Sequence, residues 1–203
     1  MPARAVIFDL GGVLIDWDPR YLYRKLLADD DAVEDFLARV CTQAWNEQQD
    51  GGRPLADAVA ALAAEHPDSA ELIAAYYGRF DEMMLGAHED TVAVLGDLDQ
   101  RGVPLYALSN FSAETFGHAR RRFPFLSRFR DIILSGDERL LKPDPRFYRL
   151  LLDRHGLVAE ESVFIDDSAR NVDGAAQLGI VALHFRGAAA LRGELVALDL
   201  LAA

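Results

Sequence analysis

Apolar positions in this chain fall into two patterns. Five short runs, Ala5 to Phe8, Pro104 to Leu108, Asp131 to Leu134, Ser162 to Ile165 and Ile180 to His184, are nearly continuous and often β-branched. Runs of that length and character suit strands buried on both faces. Stretches with helical spacing lie between them, which predicts an α/β fold: a parallel sheet with helices on both faces.

The interval between the first two runs is far longer than a crossover needs. It reads as helical over Tyr21 to Leu27, Ala32 to Val40, Leu55 to Ala64 and Ala70 to Met84, with a turn cluster at Asp50-Gly51-Gly52-Arg53-Pro54. This predicts a small helical unit over residues 16–86 inserted into a core made of 1–15 and 87–203. Its borders fall near Asp16-Trp17-Asp18-Pro19 and Leu85-Gly86-Ala87. The tail from Gly187 to Ala203 predicts a terminal helix that docks through Leu191, Leu195 and Leu198.

Composition narrows the partners. At 203 residues, 51% of them hydrophobic, the chain has material for one core with an insertion. Acidic residues number 33 against 21 basic ones, a formal net charge of −12, which argues against a nucleic acid or an anionic membrane as the main partner. A small phosphorylated ligand stays open, because a few local groups or a cation would bind it. The single cysteine, Cys41, forms no internal disulfide and reads as a packing residue in a reducing compartment. Met1-Pro2-Ala3-Arg4 leads directly into the first strand, and no stretch approaches the ~18 apolar residues of a spanning helix. The expectation is a soluble cytoplasmic protein, monomer or homodimer.

Candidate chemistry gathers at strand ends. The first run delivers Asp9 into the turn Leu10-Gly11-Gly12-Val13-Leu14, and an unpaired buried carboxylate costs several kcal/mol. The second ends in Ser109-Asn110, suited to holding a phosphate by side chain and backbone N–H groups. Leu141-Lys142-Pro143 follows the third, and the fourth ends in Asp166-Asp167-Ser168-Ala169-Arg170-Asn171. Singly, Asp9, Ser109-Asn110 and Asp166-Asp167 also read as helix caps and Lys142 as a surface charge. Together they meet, because strand ends on one edge of a parallel sheet converge on one crevice. Crowded carboxylates repel unless protonated or bridged by a cation, and Mg²⁺ with oxygen ligands answers that need. With a lysine and a hydroxyl alongside, the expected ligand is a phosphoryl group and Asp9 a candidate covalent nucleophile.

The ordered motifs Phe8-Asp9-Leu10-Gly11-Gly12-Val13-Leu14, Leu108-Ser109-Asn110, Lys142-Pro143 and Ile165-Asp166-Asp167 resemble the haloacid dehalogenase (HAD) superfamily over the whole chain. The resemblance implies a Rossmann-like core under a helical cap of the C1 type. It implies Asp9 as nucleophile and Mg²⁺ ligand, a second ligand from the Gly11 carbonyl, and a third from Asp167 with Asp166 beside it. Ser109, Asn110 and Gly12 would hold the phosphoryl oxygens, Lys142 would neutralise Asp9 and the transferring group, and Asn171 would support the acidic loop. More narrowly, Ile15-Asp16-Trp17-Asp18 after the first motif is similar to bacterial sugar phosphatases of that superfamily, including those acting on α-glucose 1-phosphate.

One position departs from the superfamily's phosphatases. They carry a second aspartate two residues after the nucleophile, as proton donor to the leaving group; here Gly11 stands there. Asp16 and Asp18 are the nearby candidates to replace it. The expected activity is a Mg²⁺-dependent phosphomonoesterase acting on a small phosphorylated metabolite. The alternatives are a 2-haloacid dehalogenase, disfavoured by the Asp166-Asp167 pair, and a non-catalytic phosphometabolite-binding relative. Trp17, Trp45, Gln48 and Arg53 are the insertion residues to weigh for substrate contact. His118, His155 and His184 read as structural, and His66 and His88 as loop residues.

Overall fold

The five nearly continuous apolar runs pair into one parallel sheet. In the computed structural model, which describes residues 4–202, the strands are β1 (Ala5–Phe8), β4 (Leu105–Ser109), β5 (Asp131–Leu134), β6 (Ser162–Asp166) and β7 (Val181–His184), in the order β5-β4-β1-β6-β7. The expectation placed on Met1 to Ala3 lies outside the described residues. Alternate residues of these strands feed two cores. Val6, Phe8, Leu105, Ala107, Val163 and Ile165 face one side, and Ala5, Ile7, Tyr106, Leu108 and Phe164 the other. Burial on both faces is the reason these runs lack alternation.

A second sheet of two strands, β2 (Ile15–Trp17) and β3 (Met84–Ala87), pairs antiparallel, with Ile15 opposite Ala87 and Asp16 opposite Gly86. Between them run α1 (Arg20–Tyr23), α2 (Asp30–Arg39), α3 (Gln43–Asp50), α4 (Leu55–Glu65) and α5 (Ala70–Gly78). After β3 come α6 (Glu89–Gln100), α7 (Ala113–Arg122), α8 (Ser135–Glu138), α9 (Pro145–His155), α10 (Ala169–Ala176) and α11 (Ala188–Ala197). The first core takes Leu95, Phe116 and Leu191 from α6, α7 and α11; the second takes Phe147, Leu151 and Ala175 from α9 and α10.

Several sequence expectations shift. The helix expected over Ala70 to Met84 stops at Gly78, a poor helix former, and the chain passes through a 3₁₀ turn at Phe80–Met83 into β3. The strand of Met84–Ala87 depends on a partner about seventy residues earlier, which no local pattern reports. The helix expected over Tyr21 to Leu27 is a single turn, Arg20–Tyr23, because Asp29 soon caps α2 by accepting from the Ala32 N–H. Helix α3 was not expected, since most of its residues are polar. Thr42 caps it by accepting from the Trp45 N–H at 3.1 Å, and it buries Trp45, Asn46 and Gln49. The terminal helix is shorter than the tail, with Leu191 and Leu195 buried and Leu198 just past its end. Cys41 is free and buried, as expected.

Candidate active site

Strand order alone assembles the first part of the site. β1 lies between β4 and β6, so Ser109, the end of β4, and Asp166, the end of β6, flank Asp9, whose N–H donates to the Ile165 carbonyl at 2.8 Å. The chain fills one side of the sheet with β4 and β5 and the other with β6 and β7, making β1 the switch point where α/β folds bind ligands.

The side chains there form one ionic cluster. Lys142 Nζ sits 2.9 Å from Asp9 Oδ1 and 2.7 Å from Asp166 Oδ2, and Ser109 Oγ donates to Asp9 Oδ1 at 2.8 Å. Asp9, Ser109, Lys142 and Asp166 are all buried. Burial pushes the Asp9 carboxyl up to about 7, with Lys142 pulling it down and Asp166 adding to the rise. Burial works against the charge of Lys142, but the two carboxylates more than offset it and hold the ammonium above the ordinary lysine range.

Asp166 is an anchor. Its Oδ1 accepts from the Ser168 N–H at 2.8 Å, and the Asn171 amide donates to Oδ1 and Oδ2 at 3.0 and 3.2 Å. Asp167 is exposed and faces the cavity, with its backbone carbonyl 2.9 Å from His184 Nε2. Partial desolvation, then the charge of Asp166, raise the Asp167 carboxyl above its ordinary range. Asp9, Asp166 and Asp167 each offer a carboxylate oxygen, and the three lie within 4.8 Å of one another. Three acids against one lysine leave negative charge uncompensated, and an all-oxygen donor set of this size fits a hard divalent cation.

Two glycines make room. Gly12 has φ +71°, and a Cβ there would stand 2.3 Å from Asp167 Oδ2, so only glycine lets this carboxylate approach the turn. A Cβ on Gly11 would meet nothing within 4 Å, and that residue lines the cavity.

The cavity above the cluster holds about 360 Å³. Its floor is Asp9, Gly11, Gly12, Ser109, Asn110, Lys142 and Asp167. The Asn110 side chain is occupied from below: Oδ1 accepts from the Lys142 N–H at 2.8 Å and Nδ2 donates to the Lys142 carbonyl at 3.2 Å. It therefore clamps the backbone of Lys142. The roof comes from α3, through Gln43, Asn46, Glu47 and Asp50, with Trp17, Phe80 and Phe111 as aromatic walls and Arg170 at one side. Of the four insertion residues singled out from the sequence, Trp17 alone lines the cavity. Trp45 packs edge-on against Tyr76 within the helices, and the Arg53 guanidinium donates to Gln48. Asp16 accepts from the Tyr21 hydroxyl and Asp18 from the Arg20 backbone, and neither lines the cavity.

Comparisons with known proteins place the sequence and the fold. A family model described as haloacid dehalogenase-like hydrolase matches residues 3–179. A sesquiterpene phosphatase of Aspergillus oryzae is 28% identical over 192 residues, covering 95% of this chain and 94% of the relative. A phosphorylated carbohydrates phosphatase of Thermotoga maritima is 26% identical over 185 residues, covering 89% and 83%. Among solved structures, a HAD family enzyme of Bacteroides thetaiotaomicron in complex with magnesium and inorganic phosphate superposes with a TM-score of 0.70 at 22% identity, covering 91% of this chain and 95% of that one.

Proposed function

Because the chain belongs to the haloacid dehalogenase-like hydrolase family, we propose that it is a Mg²⁺-dependent phosphomonoesterase acting on a small phosphorylated metabolite through an aspartyl-phosphate on Asp9. The observation that carries this reading is the triangle of carboxylate oxygens from Asp9, Asp166 and Asp167 within 4.8 Å, set against the buried Lys142 and the Ser109 hydroxyl. A haloacid dehalogenase would have no use for such a cation site. Full-length relatives named as phosphatases support the same choice.

In this reading Asp9 attacks phosphorus while Lys142 and Ser109 hold it ionised and oriented. Asp9, Asp167 and the Gly11 carbonyl are the Mg²⁺ ligands, with Asp166 beside them anchoring Lys142; the bound cation would draw charge from the phosphoryl oxygens. Ser109, the Asn110 backbone and the Gly12 turn receive those oxygens, and Asn171 steadies Asp166. Residues 16–86 act as the helical C1-type cap, hinged at the β2–β3 pair. The lone buried Cys41 fits a reducing cytoplasm.

For the substrate class, a sugar phosphate is favoured. Gln43 and Glu47 on α3 put an amide and a carboxylate over the cavity, which suits hydroxyls on the leaving group. A panel of phosphate esters and haloacetates assayed with and without Mg²⁺ tests the whole reading. Mg²⁺-dependent phosphate release, abolished in Asp9→Asn and by EDTA, is expected; metal-independent halide release would replace it with the dehalogenase reading.

A further inference from the structure

The turn after Asp9 carries no acid, yet an alkoxide leaving group needs a proton. We propose that Asp50, at the last residue of α3, supplies that proton and afterwards takes one from the attacking water; this rests on the phosphomonoesterase reading. Among the described residues lining the cavity, the carboxyl groups are Asp9, Asp167, Glu47 and Asp50. Asp9 and Asp167 belong to the cation site below. Glu47 and Asp50 hang from above, and Asp50 is the one held in place.

Its setting is specific. The Ser112 N–H donates to Asp50 Oδ1 at 3.1 Å, and the Asn46 amide donates to Oδ2 at 2.8 Å. Asn46 is itself oriented by the Tyr77 hydroxyl, which donates to its Oδ1 at 2.9 Å. The Ser135 hydroxyl donates to the Asp50 carbonyl at 2.5 Å. Each carboxyl oxygen therefore accepts one hydrogen bond and keeps a lone pair for a proton. Ser112, which donates to Asp50, stands three residues beyond Ser109, which donates to Asp9, so the Cα atoms of these two donor residues lie at most ~11 Å apart.

The surroundings favour the neutral acid. The groups that act most strongly on Asp50 are Glu47 and Asn46 on its own helix, Asp9 across the cavity and the Ser112 N–H, with the phenols of Tyr76 and Tyr77 nearby; the cations lining the same cavity are Lys142, engaged by Asp9 and Asp166, and Arg170. Its position at the carboxyl end of α3 also opposes a negative charge. Burial pushes the carboxyl up to about 7, with Glu47 and Asp9 adding to the rise against the hydrogen bonds from Ser112 and Asn46. A group poised there can both give and take a proton near neutrality.

The step balances. As Asp9 forms its bond to phosphorus, the bond to the ester oxygen breaks and that oxygen takes the Asp50 proton, leaving as an alcohol. Water then attacks phosphorus, Asp50 takes its proton, and phosphate leaves with Asp9 and protonated Asp50 restored.

The test compares kcat/KM for p-nitrophenyl phosphate, whose leaving group needs no proton, with that for a hexose 6-phosphate, whose leaving group does. This ratio reports phosphoenzyme formation alone. Asp50→Asn should lose roughly 100-fold or more on the sugar ester and under tenfold on the aryl ester. Gly11→Asp added to Asp50→Asn should restore most of the sugar-ester loss, since a Cβ at Gly11 would meet nothing within 4 Å. Equal losses on both esters, no loss on either, or absence of rescue would overturn the assignment of Asp50. Wild-type protein inert to both esters with Mg²⁺ would overturn the phosphatase reading itself, and this proposal with it.

Discussion

Gly12 and Asp167 are fitted to each other: a Cβ on Gly12 would stand 2.3 Å from Asp167 Oδ2. Gly12→Ala therefore places a methyl inside the carboxylate and forces a left-handed backbone on a residue with a side chain. The expected result is a protein that folds with a loss of about 1–2 kcal/mol but requires far more Mg²⁺ for half-maximal activity, because Asp167 is displaced. Mg²⁺ titrations of turnover, alongside urea denaturation, check this; an unchanged Mg²⁺ requirement would contradict the role given to Asp167.

Lys142 is the one cation in contact with both Asp9 and Asp166 among the described residues. Lys142→Met removes it and leaves two buried carboxyl groups facing each other, a change of the kind that costs about 3–5 kcal/mol. One of the acids then stays protonated, so turnover should fall below detection while the melting temperature drops. Lys142→Arg is expected to be no better, because a planar guanidinium does not fit the space of an ammonium at 2.7 and 2.9 Å from two oxygens. Activity retained in either variant would show that the ammonium is not needed for transfer.

The sheet and the floor of the site were legible in the sequence because both depend on local signals. Nearly continuous apolar runs mark strands buried on two faces, and polar residues at their ends have nowhere to go except the crevice, which is how Asp9, Ser109, Lys142 and Asp166 could be placed together. The roof was not legible. Asn46, Glu47 and Asp50 lie on a short helix whose buried residues include Asn and Gln, so its apolar periodicity is weak, and the partners that hold it, Ser112, Ser135 and Tyr77, are remote in sequence. Asp50 itself looked like part of a turn, beside Gly51 and Gly52. The β2–β3 pair was hidden for the same reason: its strands are three and four residues long and specify each other only after folding.

Cys41 is enclosed by the helices between β2 and β3, and its sulfur lies 3.8 Å from the Tyr23 hydroxyl. Burial pushes the thiol up to about 12, and the thiolate is the reactive form. Native protein should resist iodoacetamide at pH 8 and become fully alkylated in denaturant, with intact mass as the readout. Rapid labelling of the native protein would mean that these helices open readily.

Asp50 also leaves a signature in stability. Its folded-state value of about 7 lies above the ordinary 3.8, so between those values the folded protein holds a proton that the unfolded chain has lost. The sign follows: this stabilisation is fully present below about pH 4, declines as pH rises, and is gone above about 7. Asp9 is raised to about 7 as well, so the metal-free wild type carries both contributions. Asp50→Asn removes one of them and has no charge to bury. Thermal melts in EDTA should therefore show the variant gaining on the wild type from pH 4 to pH 8, with the difference levelling off above neutrality. A difference that stays constant across that range would mean that Asp50 is ionised in the folded protein at every pH tested, and it would remove the proton that the leaving group is proposed to receive.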